Sequence, residues 1–234
     1  MSNIAIIPAR GGSKRIPRKN IKEFCGKPII AYSIEAALKS NLFSEIMVST
    51  EDEEIAEISI KHEAKVPFFR SMKNADDFTG PGDVIYEVLN EYKSRDRIFD
   101  NVCCIYATAP LISHKRLIEG YNLLTNSDFD LVFPVAKFNY PIWRSFKINK
   151  DSQAEMNFPE HETKRSQDLS DAFHDAGQFY WLHSANMHTL KNKNVLGYKK
   201  GAIILDDVEV QDIDTLNDWV IAEIKFNYLK DKIR

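Results

Sequence analysis

The stretch IAIIPARGGSKRIPRKNIKEFCGKPIIAYSIEAAL, residues 4–38, decides the fold. Its apolar run at 4–8 reads as a buried strand. Residues 28–38 carry apolar side chains at helical spacing behind a proline, which the first helical turn tolerates because its missing N–H has no partner to lose. A loop dense in Arg and Lys joins the two. The same strand–loop–helix alternation continues downstream: strands are predicted over 46–49, 66–69, 102–106 and 130–135, and helices over 52–62, 83–92 and 114–124. In the 52–62 helix Ile55, Ile58 and Ser59 share a face, and Asp52, Glu53 and Glu54 suit the positive amino-terminal end. Val84, Ile85, Val88 and Leu89 form the inward face of the next. Periodicity lapses over 137–171, where Pro141, Asn149, Asp151, Ser152 and Pro159 signal turns, so this segment reads as an insertion of hairpins and loops. Strands at 178–182 and 202–205 and a final amphipathic helix at 216–228, carrying Trp219, Val220, Ile224 and Phe226, complete the pattern. The alternation predicts one α/β domain over 1–234, with a mostly parallel sheet covered by helices on both faces. Ligands of such sheets gather beyond the carboxyl ends of the strands, which points to the loops after Pro8, Tyr106 and Leu205.

Composition narrows the function classes. A 44% hydrophobic content over 234 residues fills a sizeable core, while 28% charged and 11% aromatic residues exclude a disordered chain. Lys and Arg total 31 against 34 Asp and Glu, a formal charge of −3, so no bulk positive field recruits nucleic acid and any anion binding must be local. Cys25, Cys103 and Cys104 have neither disulfide-framework nor zinc spacing, and a reducing cytoplasm is expected. The apolar stretch at the amino terminus is too short for a signal peptide and is followed, not preceded, by bases. Nothing near 18 continuous apolar residues occurs, so no membrane span is expected.

The loop from Ala9 to Asn20 concentrates Arg10, Lys14, Arg15, Arg18 and Lys19 around Gly11 and Gly12. A polyanion belongs there: the glycines let backbone N–H groups approach phosphate oxygens, Ser13 adds a hydroxyl donor, and Arg10, Lys14 and Lys19 offset the charge of a triphosphate. Neither GxxxxGK[ST] nor GxGxxG is present, which excludes a P-loop NTPase and a dinucleotide fold by motif. The plain alternative is a solvated surface loop. A nucleic-acid footprint is weaker still, because no aromatics interleave with the bases.

The second constellation is Gln211-Asp212-Ile213-Asp214-Thr215. Residues i and i+2 of an extended segment point to the same side, so Asp212 and Asp214 can share one ion, and paired carboxylates suit Mg²⁺. Helix capping is the competing reading. Thr215 to Asp218 is a [ST]xx[DE] box that assigns Asp218 to the cap and leaves Asp212 and Asp214 for metal. Asp206, Asp207 and Glu209 thicken the negative patch. No Ser/His/Asp or Cys nucleophile constellation stands out, and Cys103 and Cys104 read as buried strand residues.

The segments IIPARGGSKRIPRKNIK and GKPIIAYSIEAA resemble the nucleotide-binding opening of the cytidylyltransferases that make CMP-sialic acids. The similarity runs on through VSTEDEEIAEIS, VPFFRS, ADDFTG, YATAPL, KRSQDL, HDAGQFYW and VQDIDTLNDW, nearly the whole chain in order. YATAPL, RSQDL and HDAGQFYW look most like the branch acting on pseudaminic acid; enzymes for N-acetylneuraminate usually carry Gln-Pro-Thr-Ser-Pro where this chain has Tyr106 to Pro110. The resemblance implies a Rossmann-like nucleotidyltransferase domain and the reaction of CTP with a nine-carbon α-keto acid sugar to give CMP-sugar and pyrophosphate, with a divalent ion. Legionaminic acid and N-acetylneuraminate are alternative sugars. A binding module without turnover, or a glycosyltransferase using the two aspartates for its metal, are alternatives of other classes.

It also implies roles. Arg10, Ser13, Lys14 and Lys19 would hold the triphosphate, with Arg10 and Lys19 opposing charge on the leaving group. Asn20 would approach the nucleotide, Arg70 and Thr79 the cytosine or ribose, and Asp212 and Asp214 would hold Mg²⁺. Arg165 would bind the sugar carboxylate, since a guanidinium does so bidentately. Gln167, Asp175 and Gln178, with His174 and Tyr106 beside them, would read hydroxyl or acylamino groups. Related synthetases are dimers whose insertion reaches the neighbouring subunit; the aromatic load of 137–171, Phe138, Tyr140, Trp143, Phe146 and Phe158, fits a homodimer, the alternative being that these rings pack on their own domain.

Overall fold

The computed structural model describes residues 2–76, 79–186 and 199–232. A seven-stranded sheet is built from β1 (Asn3–Pro8), β4 (Glu45–Ser49), β5 (Asn101–Ile105), β6 (Leu131–Lys137), β9 (Phe173–Asp175), β10 (Phe179–His183) and β11 (Lys200–Leu205). The order is β11-β6-β10-β5-β1-β4, with β9 pairing β6. The β1/β4, β1/β5 and β6/β11 pairs are parallel; β10 enters antiparallel between β5 and β6. The remaining strands form two small hairpins, β2 (Glu23–Phe24) with β3 (Lys27–Pro28) and β7 (Phe146–Ile148) with β8 (Ala154–Met156).

Alternation along the strands feeds two cores. Ala5, Ile7, Cys103 and Ile105 face one side, where α1 (Ile29–Ser40), α2 (Glu53–Lys61) and α4 (His114–Thr125) deliver Ile30, Ile34, Ile55, Leu117 and Leu124. Ile4, Ile6, Val102 and Cys104 face the other, covered by Val84, Ile85, Val88 and Tyr92 of α3 (Pro81–Lys93). Each fully buried aliphatic side chain contributes about 1.5–3 kcal/mol. Gly120 lets α4 lie close to β10: a Cβ there would stand 2.9 Å from Phe179 and 3.1 Å from Trp181. A third cluster joins Ile16 of the basic loop to Phe24, Tyr32, Ile213 and Trp219, tying that loop and the acidic segment to α5 (Leu216–Lys232).

Two expectations are corrected. Residues 66–69 form no strand: pairing with β4 stops at the single Met47–Lys65 bridge, because Pro67 has no N–H for a ladder. On α5, Trp219 and Ala222 face inward and Phe226 packs against them, whereas Val220 and Ile224 are exposed. The helix therefore buries a narrower stripe than its apolar content suggested. Among the described residues, the segment between β6 and β9 forms the β7–β8 hairpin and short 3₁₀ turns and no further helix–strand unit. Some of its aromatics pack locally, Trp143 against Phe158 and His161, and Phe138 against His174. Others do not: Tyr140 is 86% exposed and Phe146 58%, and the aliphatic Ile148 is likewise exposed at 66%. No helix among the described residues is long and apolar enough to cross a membrane.

Candidate active site

A cavity of about 340 Å³ opens beyond the carboxyl ends of β1 and β5, lined by Arg10, Ser13, Lys14, Lys19, Asn20, Arg70, Thr79 and Tyr106. The structure thus brings together eight of the residues singled out from sequence. A larger cavity of about 680 Å³, at the opposite ends of β5 and β10 near Asn101 and His183, contains none of them. Chemistry, not volume, places the site.

The loop is braced at several points. Asn20 is buried and its Nδ2 donates to the Arg10 carbonyl at 2.8 Å, so it supports the loop from within. Arg10 donates to the Asp76 carbonyl at 2.9 Å, and Thr79 donates its N–H and its hydroxyl to Asp76 Oδ1, each at 2.7 Å. Asp77 and Phe78 of the ADDFTG segment lie outside the described residues. Arg70 is buried, its Nε donating to Ser49 Oγ at 3.0 Å, and burial lowers its pKa. Gly12 is open, with nothing within 4 Å of where a Cβ would stand, but Gly11 departs from expectation. Its N–H is given to Glu51 Oε1 at 2.7 Å instead of facing the cavity, and a Cβ there would come within 2.4 Å of Asp52 Oδ2. Close packing is what requires glycine at this position.

The acidic segment adjoins the cavity. Ile213 is buried, whereas Asp212 on one side of it is exposed and Asp214 on the other is partly exposed. Lys19 Nζ donates to the Ile213 carbonyl at 2.6 Å and lies 3.8 Å from Asp214 Oδ1; Arg15 binds that same oxygen at 2.7 Å. Burial lowers the Lys19 pKa, opposed by Asp214 and Asp212. Withdrawal from solvent raises the Asp212 pKa, and repulsion from Asp214 adds to it. The cap assignment holds: Thr215 N donates to Asp218 Oδ2 at 2.7 Å and Asp218 N to Thr215 Oγ1 at 3.3 Å. Asp212 and Asp214 are left free of that duty.

The sugar set is dispersed. Tyr106 forms cavity wall, its ring 5.5 Å from that of Tyr180, and burial pushes its pKa up to about 12. Tyr180 donates to Asp175 Oδ2 at 2.7 Å, and Gly177 N donates to Oδ1 at 2.8 Å. His174 Nδ1 donates to the Asp175 carbonyl at 2.9 Å, since a carbonyl only accepts. Gln178 is a correction. It is buried, its Nε2 donates to the Glu209 carbonyl and its backbone carbonyl accepts the Tyr106 N–H, so it holds the end of β5 and lies outside the lining of the cavity. Arg165 also stands apart: exposed, outside the cavity, paired with Asp168 at 2.7 and 3.0 Å. Gln167 lines a separate cleft of about 280 Å³ beside Tyr140 and Ser170. Arg15, counted among the loop cations but given no role, also lines the cavity, and sequence reasoning missed Asn74, Asp76 and Thr108 of its wall. The position of Asp76 beside Thr79 in one short motif was the signal available.

This geometry, a basic glycine loop at the end of the first strand facing an acidic pair before the last helix, is that of a nucleotidyl-transferring fold, and the cytidylyltransferase family model matches residues 4–215; the chain belongs to the cytidylyltransferase family. It is 42% identical over 226 residues to the pseudaminic acid cytidylyltransferase of Campylobacter jejuni subsp. jejuni serotype O:23/36 (strain 81-176), covering 97% of each chain. It is 31% identical to the CMP-N,N'-diacetyllegionaminic acid synthase of Legionella pneumophila subsp. pneumophila (strain Philadelphia 1 / ATCC 33152 / DSM 7513), covering 95% of each. Among solved structures, the fold matches a CMP:2-keto-3-deoxy-manno-octonic acid synthetase complexed with CTP, with a TM-score of 0.72 at 14% identity over 99% of this chain and 100% of that one.

Proposed function

We propose that this single cytidylyltransferase domain transfers CMP from CTP to the anomeric hydroxyl of a nonulosonic acid, with pseudaminic acid as the sugar, releasing pyrophosphate. The observation that carries the reading is the convergence of Arg10, Ser13, Lys14, Lys19, Arg70 and Tyr106 on one cavity whose basic loop touches Asp214 through Arg15 and Lys19. The relatives in Campylobacter and Legionella support the choice among nine-carbon sugars, and the greater similarity is to the former.

In this reading the triphosphate lies along the loop, with Ser13 and the open backbone at Gly12 donating to phosphate oxygens. Arg10 and Lys19 oppose the charge that builds on pyrophosphate as the sugar hydroxyl attacks the α-phosphorus in line. The work is positioning and charge stabilisation, as in phosphoryl transfer generally. Arg70 and Thr79 border the nucleoside end. Asp212 and Asp214 fit Mg²⁺ as a donor set: two carboxylates flank buried Ile213, and desolvation first and the neighbouring Asp214 second raise the Asp212 pKa. An ion held by these two carboxylates would complete its shell from water and substrate phosphates. When bound, Mg²⁺ neutralises phosphate oxygens and acidifies a coordinated hydroxyl.

Arg165 and Gln167 lie outside the cavity of their own chain, Tyr140 shares the cleft of Gln167, and Tyr140, Phe146 and Ile148 of the same segment are uncovered. Both facts support a homodimer in which residues 137–171 complete the neighbour's sugar site. The free thiols support a cytoplasmic location.

The test is pyrophosphate release from CTP and Mg²⁺ with pseudaminic acid, legionaminic acid and N-acetylneuraminate, using Asp212→Asn and Asp214→Asn as controls. Release with pseudaminic acid alone, abolished in both variants, is expected. Release with another sugar keeps the reaction and changes the substrate. CTP binding without release from any sugar overturns the catalytic reading in favour of a binding module.

A further inference from the structure

Arg18 lies in the basic loop but does not line the cavity, and its place in the fold assigns it a different task. Its backbone is left-handed, φ 54° and ψ 31°, a conformation unfavourable for a side chain with a Cβ unless other contacts hold it. Those contacts are visible. Nη1 and Nη2 bind the two oxygens of Asp52 at 2.5 and 2.9 Å, and Nη2 also reaches Glu54. Asp52 is itself fixed as the N-cap of α2, accepting the Ile55 N–H at 3.0 Å. The other end of the loop meets the same carboxylates: Gly11 donates its N–H to Glu51 and packs directly on Asp52. Between these anchors lie Gly12, Ser13, Lys14 and Arg15, while Ile16 is buried in the third hydrophobic cluster.

We infer that the acidic turn Glu51, Asp52 and Glu54 is the frame that sets the shape of the triphosphate loop, and that Arg18 is a positioning residue acting through Asp52. This rests on the nucleotide reading of the cavity. The reasoning is geometric. A loop that must present several donors to one polyanion loses affinity if it samples many shapes, and gripping it at both ends on a capped helix removes that freedom. The planar fork of Arg18 matches the carboxylate in two bonds, which an ammonium cannot do. Arg18 pairs with both Asp52 and Glu54 and so offsets part of the negative charge this turn places near the loop, while Glu51 accepts the Gly11 N–H.

The test uses the full chain with Arg18→Ala, Arg18→Lys, Asp52→Asn and the Arg18→Ala/Asp52→Asn double variant. Three quantities are read: CTP affinity by calorimetry, KM for CTP and for the sugar, and amide exchange of the peptide spanning residues 9–20. Arg18→Ala and Asp52→Asn should each weaken CTP by roughly tenfold, leave the sugar KM within about twofold and speed exchange in that peptide, with Arg18→Lys recovering only part. The double variant should be no worse than either single one, because both break the same contact. Weakened CTP binding in Arg18→Ala with wild-type affinity in Asp52→Asn would mean that Arg18 touches the phosphates directly, and would overturn the inference. So would unchanged CTP affinity in both, or sugar and CTP KM rising together. Should the wild-type chain itself fail to bind CTP, it is the nucleotide reading that falls, while the exchange measurement still decides whether the frame holds the loop.

Discussion

Two defective variants, Arg165→Ala and Lys19→Met, should restore activity when mixed. Arg165 is bound bidentately to exposed Asp168 on its own chain, outside the cavity to which Lys19 contributes. A guanidinium–carboxylate pair contributes about 1.5–3 kcal/mol, and releasing Asp168 costs about 1 kcal/mol at most because that pair is solvated, so a net of about 0.5–2 kcal/mol should lower kcat/KM for the sugar by about twofold to thirtyfold. Lys19, half-buried and 2.6 Å from the Ile213 carbonyl, is the residue proposed to oppose charge on the departing pyrophosphate; removing such a donor typically costs about 10²–10³ in rate. If residues 137–171 serve the neighbour, a mixed dimer has one site with both defects and one with neither. Equal mixing with random exchange makes half the dimers mixed, so activity should return to about a quarter of wild type. The assay is pyrophosphate release at saturating CTP and subsaturating sugar, with native mass spectrometry to verify that mixed dimers form. Mixed dimers showing only the average of the two parents would refute the shared site, and a fully active Arg165→Ala would refute the sugar-carboxylate role.

Other outcomes follow from local geometry. Glu45→Gln should cost about 1–2 kcal/mol at neutral pH by urea denaturation: buried Glu45 accepts from Tyr92, Lys65 and Arg97 at 2.9–3.0 Å, but the two cations are exposed enough to resolvate when freed. Burial alone would raise the Glu45 pKa; the bonds from Arg97, Lys65 and Tyr92 outweigh it and hold the carboxyl below its ordinary value. Its contribution is therefore complete above the ordinary glutamate range and fades as pH falls through the depressed folded value, so the gap between wild type and variant should close in acid. Gly120→Ala sets a helix-propensity gain of about 1 kcal/mol against overpacking of about 1–3 kcal/mol, because Phe179 and Trp181 are buried rings that cannot yield. The expected result is a lower Tm with unchanged KM for CTP. Asp218→Ala removes the reciprocal cap with Thr215 and should cost about 1 kcal/mol by the same denaturation assay.

What the sequence disclosed and what it hid divide along physical lines. Periodicity exposed the strands and helices because burial on a sheet imposes period two and packing on it imposes period 3.6; even the odd and even residues of β1 separate cleanly into two cores. The missing strand at 66–69 shows the limit, since apolar residues at a sheet edge look extended whether or not a ladder forms, and Pro67 decides. The charges of the basic loop were legible as charges, but not their pairing. Nothing local says that Arg18 serves Asp52 and Arg15 serves Asp214, or that Gly11 gives its N–H to Glu51. Those are facts of which turns meet at the carboxyl end of the sheet. Gln178 illustrates a related limit: a polar residue in a motif reads as a contact, while its bond to the Glu209 carbonyl depends on a segment 31 positions away.

The adjacent cysteines of β5 turn the sheet into a gauge of its own opening. Cys103 and Cys104 are both fully buried but lie in different cores, the first beneath α1 and α4, the second beneath α3. Burial pushes both thiols up, Cys104 to about 12, so neither reacts in the closed protein, whereas Cys25 is exposed and can be labelled beforehand. A thiol reagent then modifies Cys103 or Cys104 only when its own helical layer lifts from the sheet. Peptide mapping of which sulfur is labelled first would show, without any introduced probe, which layer peels away first as the molecule unfolds.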